Sequence, residues 1–120
     1  MINLLPGLPD NTIGLSASGH VTGNDYAEVL IPAVEAALKR HKKLRLLYEI
    51  GNDFAGFTPA AMWDDMKLGM VHLTAWERIA IVTDVGWIAN AANIFKFFVP
   101  CEVRIFPPGE RTAAEQWVVA

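Results

Sequence analysis

Apolar and polar positions change period along this chain, and the changes mark its elements. Met1–Leu5 is a short apolar run. The cluster Pro6-Gly7-Leu8-Pro9-Asp10-Asn11 then predicts a turn. From Thr12 to Ser18, Ile13, Leu15 and Ala17 alternate with Gly14, Ser16 and Ser18, the period of a strand with one packed face. The two segments predict an antiparallel pair. Residues 19–24 read as a loop. Thr22 and Asn24 both suit a helix N-cap, and a Thr22 cap puts Asp25 at the third helical position, where the helix dipole favours a carboxylate.

Asp25–His41 has the 3.6-residue period, with Tyr26, Leu30, Ala33, Val34, Ala37 and Leu38 on one face. Pro32 falls inside it on the solvent side and predicts a kink, because it deletes a backbone hydrogen bond. The cations at 39–43 complement the helix C-terminus. Leu44–Ile50 predicts a strand and Gly51–Phe57 a loop with two phenyl rings. Thr58-Pro59 opens a helix over 58–73, with Thr58 as N-cap, a core stripe of Met62, Trp63, Met66, Met70 and Leu73, and Leu68 outside.

Arg78–Thr83 predicts a buried strand and Trp87–Val99 a helix ended by Pro100. Its apolar face takes Trp87, Ile88, Ala91, Ala92, Phe95 and Phe98; Phe97 falls among Ala89, Asn90, Asn93 and Lys96, and Ile94 sits at the margin. A phenyl ring on the polar side points to a contact outside the core. Glu102–Phe106 alternates as an edge strand. Thr112–Glu115 has the capping-box spacing for a last helix through Trp117. Strands alternating with helices over short links predict an α/β fold, a mostly parallel sheet of right-handed crossovers after an N-terminal antiparallel pair.

Composition narrows the function. The 120 residues suit one domain, 1–120. No apolar run has spanning length although 52 % of residues are hydrophobic. Nothing in the first residues resembles a signal peptide, so a cytoplasmic protein is expected. A formal charge of −3 argues against nucleic acid as a partner. The single Cys101 excludes an internal disulfide and a cysteine zinc cluster, and is expected to be a buried structural thiol. The histidines lack zinc spacing, and no dinucleotide or phosphate loop follows a strand, so no metal and no cofactor are expected. In parallel sheets ligands bind beyond the carboxyl ends of the strands. The polar residues there are His20, Asn52, Asp53 and Asp84, with Thr58 nearby. His20 with Asp53 or Asp84 is a conceivable acid–base pair, but no nucleophile elbow accompanies it, and no catalytic residue is assigned.

Three stretches carry a family resemblance: HVTGNDYAEVLIPAVEAAL with its internal Pro32, KLRLLYEIGNDFAGFTPAAMWDDM, and ERIAIVTDVGWIANAANIFKFFVPCEVRIFP. Together they resemble the SpoIIAA-like family, relatives of the STAS domains of anti-sigma-factor antagonists. The resemblance implies βα units wound as a superhelix and a regulatory or binding module without enzymatic role. It also implies candidacy for hydrophobic-ligand binding and membrane association, with a helix pair able to open. STAS antagonists carry a phosphorylatable Ser, typically after Asp, where this chain has Thr58 after Phe57. An N-cap role accounts for Thr58 without phosphorylation, while phosphate at a helix N-terminus would be electrostatically tolerated, so Thr58 is also a phospho-site candidate.

The expected contact surface is therefore Phe54, Phe57, Met62, Met66, Trp87, Phe97 and Phe98, between and beside the 58–73 and 87–99 helices. It would meet a hydrophobic small molecule, a membrane surface or a second copy. The alternative is a regulatory protein partner docking on the loop before Thr58.

Overall fold

The computed structural model describes residues 1–58, 75–97 and 101–120. Among these, strands β1 (Ile2–Leu4), β2 (Thr12–Val21), β3 (Leu44–Phe57), β4 (Trp76–Thr83) and β5 (Glu102–Phe106) form one sheet in sequential order. β1 is antiparallel to β2 with Ile2 opposite Ala17. The other pairs, β2–β3, β3–β4 and β4–β5, are parallel. This is the mixed, mostly parallel α/β sheet that the alternation of periods predicts.

The helical stretch after β2 starts where Thr22 caps it. The Asp25 N–H donates to Thr22 Oγ1 at 3.2 Å, and the Thr22 N–H donates to Asp25 Oδ2 at 2.8 Å. That backbone donor, foremost, holds the Asp25 carboxyl below its ordinary pKa of 3.8. The stretch runs as α1 (Gly23–Asp25), a π-wound segment Tyr26–Leu30, and α2 (Ile31–Leu38). Pro32 therefore sits in the first turn of α2, a place that tolerates a missing N–H. The preceding π turn absorbs the mismatch, since its wider winding moves the carbonyl that would otherwise meet the pyrrolidine ring. The disturbance that Pro32 predicts takes the form of a π segment.

This helical stretch ends at Leu38, short of His41. The cations beyond it have a specific partner. Arg40 donates from Nε (2.8 Å) and Nη2 (3.1 Å) to Asp10, and His41 Nε2 lies 3.0 Å from the same carboxyl, tying the turn before β2 to the end of α2.

Strand alternation divides the interior in two. Ile13, Leu15, Ala17, Leu44, Tyr48, Ile50 and Ile79 face α1–α2 and α3 (Gly86–Phe95), meeting Tyr26, Leu30, Val34, Ala37 and Ile88. The Tyr26 hydroxyl finds the Tyr48 hydroxyl at 3.2 Å, so the one buried polar tip of this helix is satisfied. On the other face Leu47, Ala80 and Val82 pack against Ala114 and Val118 of α4 (Arg111–Val119), with Leu5, Leu8, Phe106 and Trp117 at the rim. Gly14 lies under Leu5: a Cβ there would come within 3.0 Å of the Leu5 Cβ.

Further expectations need correction. Gly51–Phe57 is not a loop; it continues β3, because β2 runs past Ser18 to Val21 and offers it a partner. The paired ladder breaks twice, resuming as Gly19 opposite Phe54 and His20 opposite Gly56. Both glycines have positive φ, 57° and 141°, which the bulged backbone demands and a side chain would resist. Thr112 forms no capping box either. The last helix begins at Arg111 after a 3₁₀ turn over Pro108–Glu110, and Glu115 turns instead to Arg111, whose Nε donates to it at 3.2 Å.

Cys101 is half-buried rather than fully enclosed, and burial pushes its thiol above 9.0, away from nucleophilic use.

Candidate functional site

α3 follows β4 through a tight turn. The Val85 N–H donates to Thr83 Oγ1 at 3.0 Å, a local bond that stops the strand and aims the chain back over the sheet. The Ile88 and Ala89 N–H groups then both donate to Val85 O at 3.1 Å. Ile88 and Ala92 seal the inner side. The outer side carries Trp87, 53 % exposed, and Ile94, 63 % exposed, with Ala91 between them. Phe97, one turn further on, is 80 % exposed. Its N–H donates to Ile94 O at 3.2 Å, so the helical course persists to that residue. Spacings of four, three and three residues put Trp87, Ala91, Ile94 and Phe97 along one side of the helix.

Trp87 and Ala91 thus leave the core face on which the helical period placed them. The extended β3 supplies the reason for Trp87. Phe54, carried outward on the strand, meets the Trp87 ring at 6.3 Å with a 36° tilt, a partner that a loop would not have presented. Lys96 Nζ lies 5.6 Å from the Phe97 ring centroid.

The remaining candidates fall apart in space or outside the described residues. Met62, Met66, Leu68 and Phe98, and with them the groove expected between the 58–73 and 87–99 helices, lie outside the described residues. Phe57 ends β3 opposite Val21. The Thr58 N–H donates to Val21 O at 2.9 Å, which fixes the chain as it leaves the sheet. His20, Asp53 and Asp84 are all exposed, and no hydrogen bond or ion pair joins His20 to either carboxylate. Among the described residues no three His, Cys, Asp or Glu side chains converge as metal ligands. None of their helices is long and apolar enough to cross a membrane.

Ile94, which the sequence pattern leaves at the margin, joins Trp87 and Phe97 among the exposed large side chains. The signal was present in Trp87, Ile94 and Phe97 at helical spacing, but a tryptophan at a helix start reads equally as core.

A sequential, mostly parallel sheet with an N-terminal antiparallel strand is the fold of a family of regulatory interaction modules. The chain belongs to the SpoIIAA-like family, whose model matches residues 12–119. Among solved structures it is similar to an uncharacterized protein of the DUF3478 family with a SpoIIAA-like fold from Shewanella loihica PV-4. The two share 27 % identity over 98 % of this chain and 92 % of that one, with a TM-score of 0.76. No curated protein matches the chain.

Proposed function

We propose that this protein is a non-enzymatic binding module that offers the outer side of α3 to a hydrophobic counterpart. That counterpart is a lipid-like ligand or the interfacial layer of a membrane, met from the cytoplasm. The observation that carries this is the run of exposed Trp87, Ile94 and Phe97 on one helix side. Isolated exposed apolar residues are ordinary, but three large ones in line are not. Phe54 backs the surface through Trp87. In this proposal Phe57, Met62, Met66 and Phe98 extend it.

Magnitudes set its strength. Each large side chain contributes roughly 1.5–3 kcal/mol on burial. Three of them give on the order of 4.5–9 kcal/mol gross, a marginal balance against an association cost of about 4–15 kcal/mol. Binding through this surface is accordingly weak and reversible. Flotation with vesicles of phosphatidylcholine and phosphatidylglycerol tests it. The native protein should co-float, and Ile94→Asp and Phe97→Asp should sediment while keeping native far-UV circular dichroism. Absence of flotation by the native protein removes the membrane form.

A second reading is a regulatory protein contact at the segment before Thr58. The bond from Thr58 to Val21 places this residue beside the capped start of the first helical stretch, which favours a presented rather than a trailing segment. Partner capture left unchanged by both Thr58→Ala and Thr58→Glu would count against control through that hydroxyl.

A further inference from the structure

We infer that the outer edge of β5 is a docking site for an extended acidic peptide segment, which would add to the sheet as a further strand. This surface adjoins the apolar side of α3 at Lys96, whose Nζ lies 5.6 Å from the Phe97 ring, but the inference does not depend on the function proposed above.

Three observations converge there. First, β5 pairs with β4 along one side, and among the described residues no strand covers the other. Among the described residues, alternate N–H and C=O groups along that side have no strand to pair with. The pairing with β4 runs from Arg78–Glu102 to Val82–Phe106 without a register break, so no bulge twists this edge away as the breaks in β2–β3 do.

Second, an open cleft of about 360 Å³ adjoins the edge, lined by Asn93, Lys96, Val103, Arg104, Ile105 and Phe106. It includes side chains from both faces of the strand, as a groove that follows an edge must.

Third, the cleft is cationic in a chain of net charge −3. Lys96 and Arg104 line it, and neither has an ion pair among the described residues. Arg40, Arg45 and Arg111 each hold a carboxylate. Arg104 is instead stacked on Trp117, its Cζ 5.1 Å from the ring centroid, which orders the guanidinium without using its donors on a carboxylate.

Lys96 comes from the helical layer and Arg104 from the opposite face of the sheet. Successive side chains of an added strand point to opposite faces. A peptide with two adjacent carboxylates therefore reaches both cations while its backbone completes the ladder. A second copy of β5 fits less well, since it brings Arg104 along with Glu102 and adds no net negative charge.

The test is fluorescence anisotropy with labelled Thr-Val-Glu-Glu-Val-Thr and the full chain. Saturable binding is expected, weakened at least ~10-fold by Gln-Gln in place of Glu-Glu or by Lys96→Glu. In the Lys96→Glu, Arg104→Glu double variant, a Lys-Lys peptide should bind and the Glu-Glu peptide should not. Circular dichroism checks that Trp117 still packs. No saturable binding by ~1 mM peptide overturns the inference. Equal binding when proline replaces the two valines, or displacement by equimolar citrate, also overturns it, since the site would then take anions without strand pairing. Self-association of the peptide-free chain that Lys96→Glu leaves intact would assign the edge to a second copy instead.

Discussion

The two faces of this sheet are buried by different physics. Against α1–α2 and α3, the strands present whole aliphatic side chains and meet Tyr26, Leu30, Val34 and Ile88. That adhesion is non-directional and grows with apolar area. Against α4 the apolar contact is small, with Leu47, Ala80 and Val82 meeting Ala114 and Val118. Directed bonds supply the rest. Arg45 Nη1 donates to Val118 O at 2.9 Å, and Arg78 Nη1 to Trp117 O at 2.7 Å. Two sheet arginines thus satisfy carbonyls that the helix C-terminus leaves open, with charge of the sign its dipole favours. Arg45 also reaches Glu77 at 2.7 Å, and Arg78 and Arg104 both approach the Trp117 ring, 5.3 and 5.1 Å from its centroid. Glu49 and Arg111 approach to 2.9 Å, but the Arg111 N–H is aligned on Glu115, so Glu49 Oε2 has a charge contact and no hydrogen bond. A face can be closed with little apolar volume when the helix end is fixed by donors from below.

Cavity formation should separate the two faces most strongly. Leu30→Ala empties a fully buried site and should cost about 2–5 kcal/mol in urea denaturation. Val118→Ala, opposite, removes less volume and should cost about 1–3 kcal/mol. Equal losses would mean that the α4 side carries more packing energy than its side chains suggest.

Next comes the directed contact. Arg45→Met keeps much of the side-chain volume but removes the donors to Val118 and Glu77, and should cost about 1–3 kcal/mol. The loss should be local, with faster amide exchange in α4 than in β3. Uniform acceleration would show that the arginine supports the whole sheet.

Thr22→Ala removes the cap on the other side and should cost about 1 kcal/mol. The smallest effect is on pH dependence. The Asp25 pKa is lowered in the folded chain, first by the Thr22 N–H. Its contribution to stability is therefore full above the unfolded value of about 3.9 and is lost as pH falls through the lower folded value. Asp25→Asn should flatten the acid end of the stability profile and leave its shape above pH ~5 unchanged. An unchanged acid limb would show that the cap works through Thr22 alone.

Much of the architecture was legible because it rests on local periods. The antiparallel start and the β5 boundaries follow from alternation; spacing leaves the helix cap between Thr22 and Asn24, and the bonds to Asp25 decide for Thr22. Pro32 was legible as a disturbance but not as a π turn, since its accommodation depends on how the whole stretch lies on β2 and β3. The 51–57 strand was hidden behind glycines that signal a loop, and here they serve two register breaks. The candidate surface was legible in Phe97, whose place on a polar side is a property of spacing, and in Trp87 at the helix start; Ile94, at the margin by spacing, joined them only in the fold.

Local chemistry by itself therefore determined the kind and order of the elements, because backbone preference and side-chain period act between near neighbours. Tertiary structure decided which helix side was left outside and how far β3 ran. It also decided that arginines would hold the last helix. Each of these depends on groups brought together from distant parts of the chain: Phe54 with Trp87, Val21 with Phe57, Arg45 with Val118. No short-range pattern encodes such meetings, since their energy exists only once the sheet has set the distance between them.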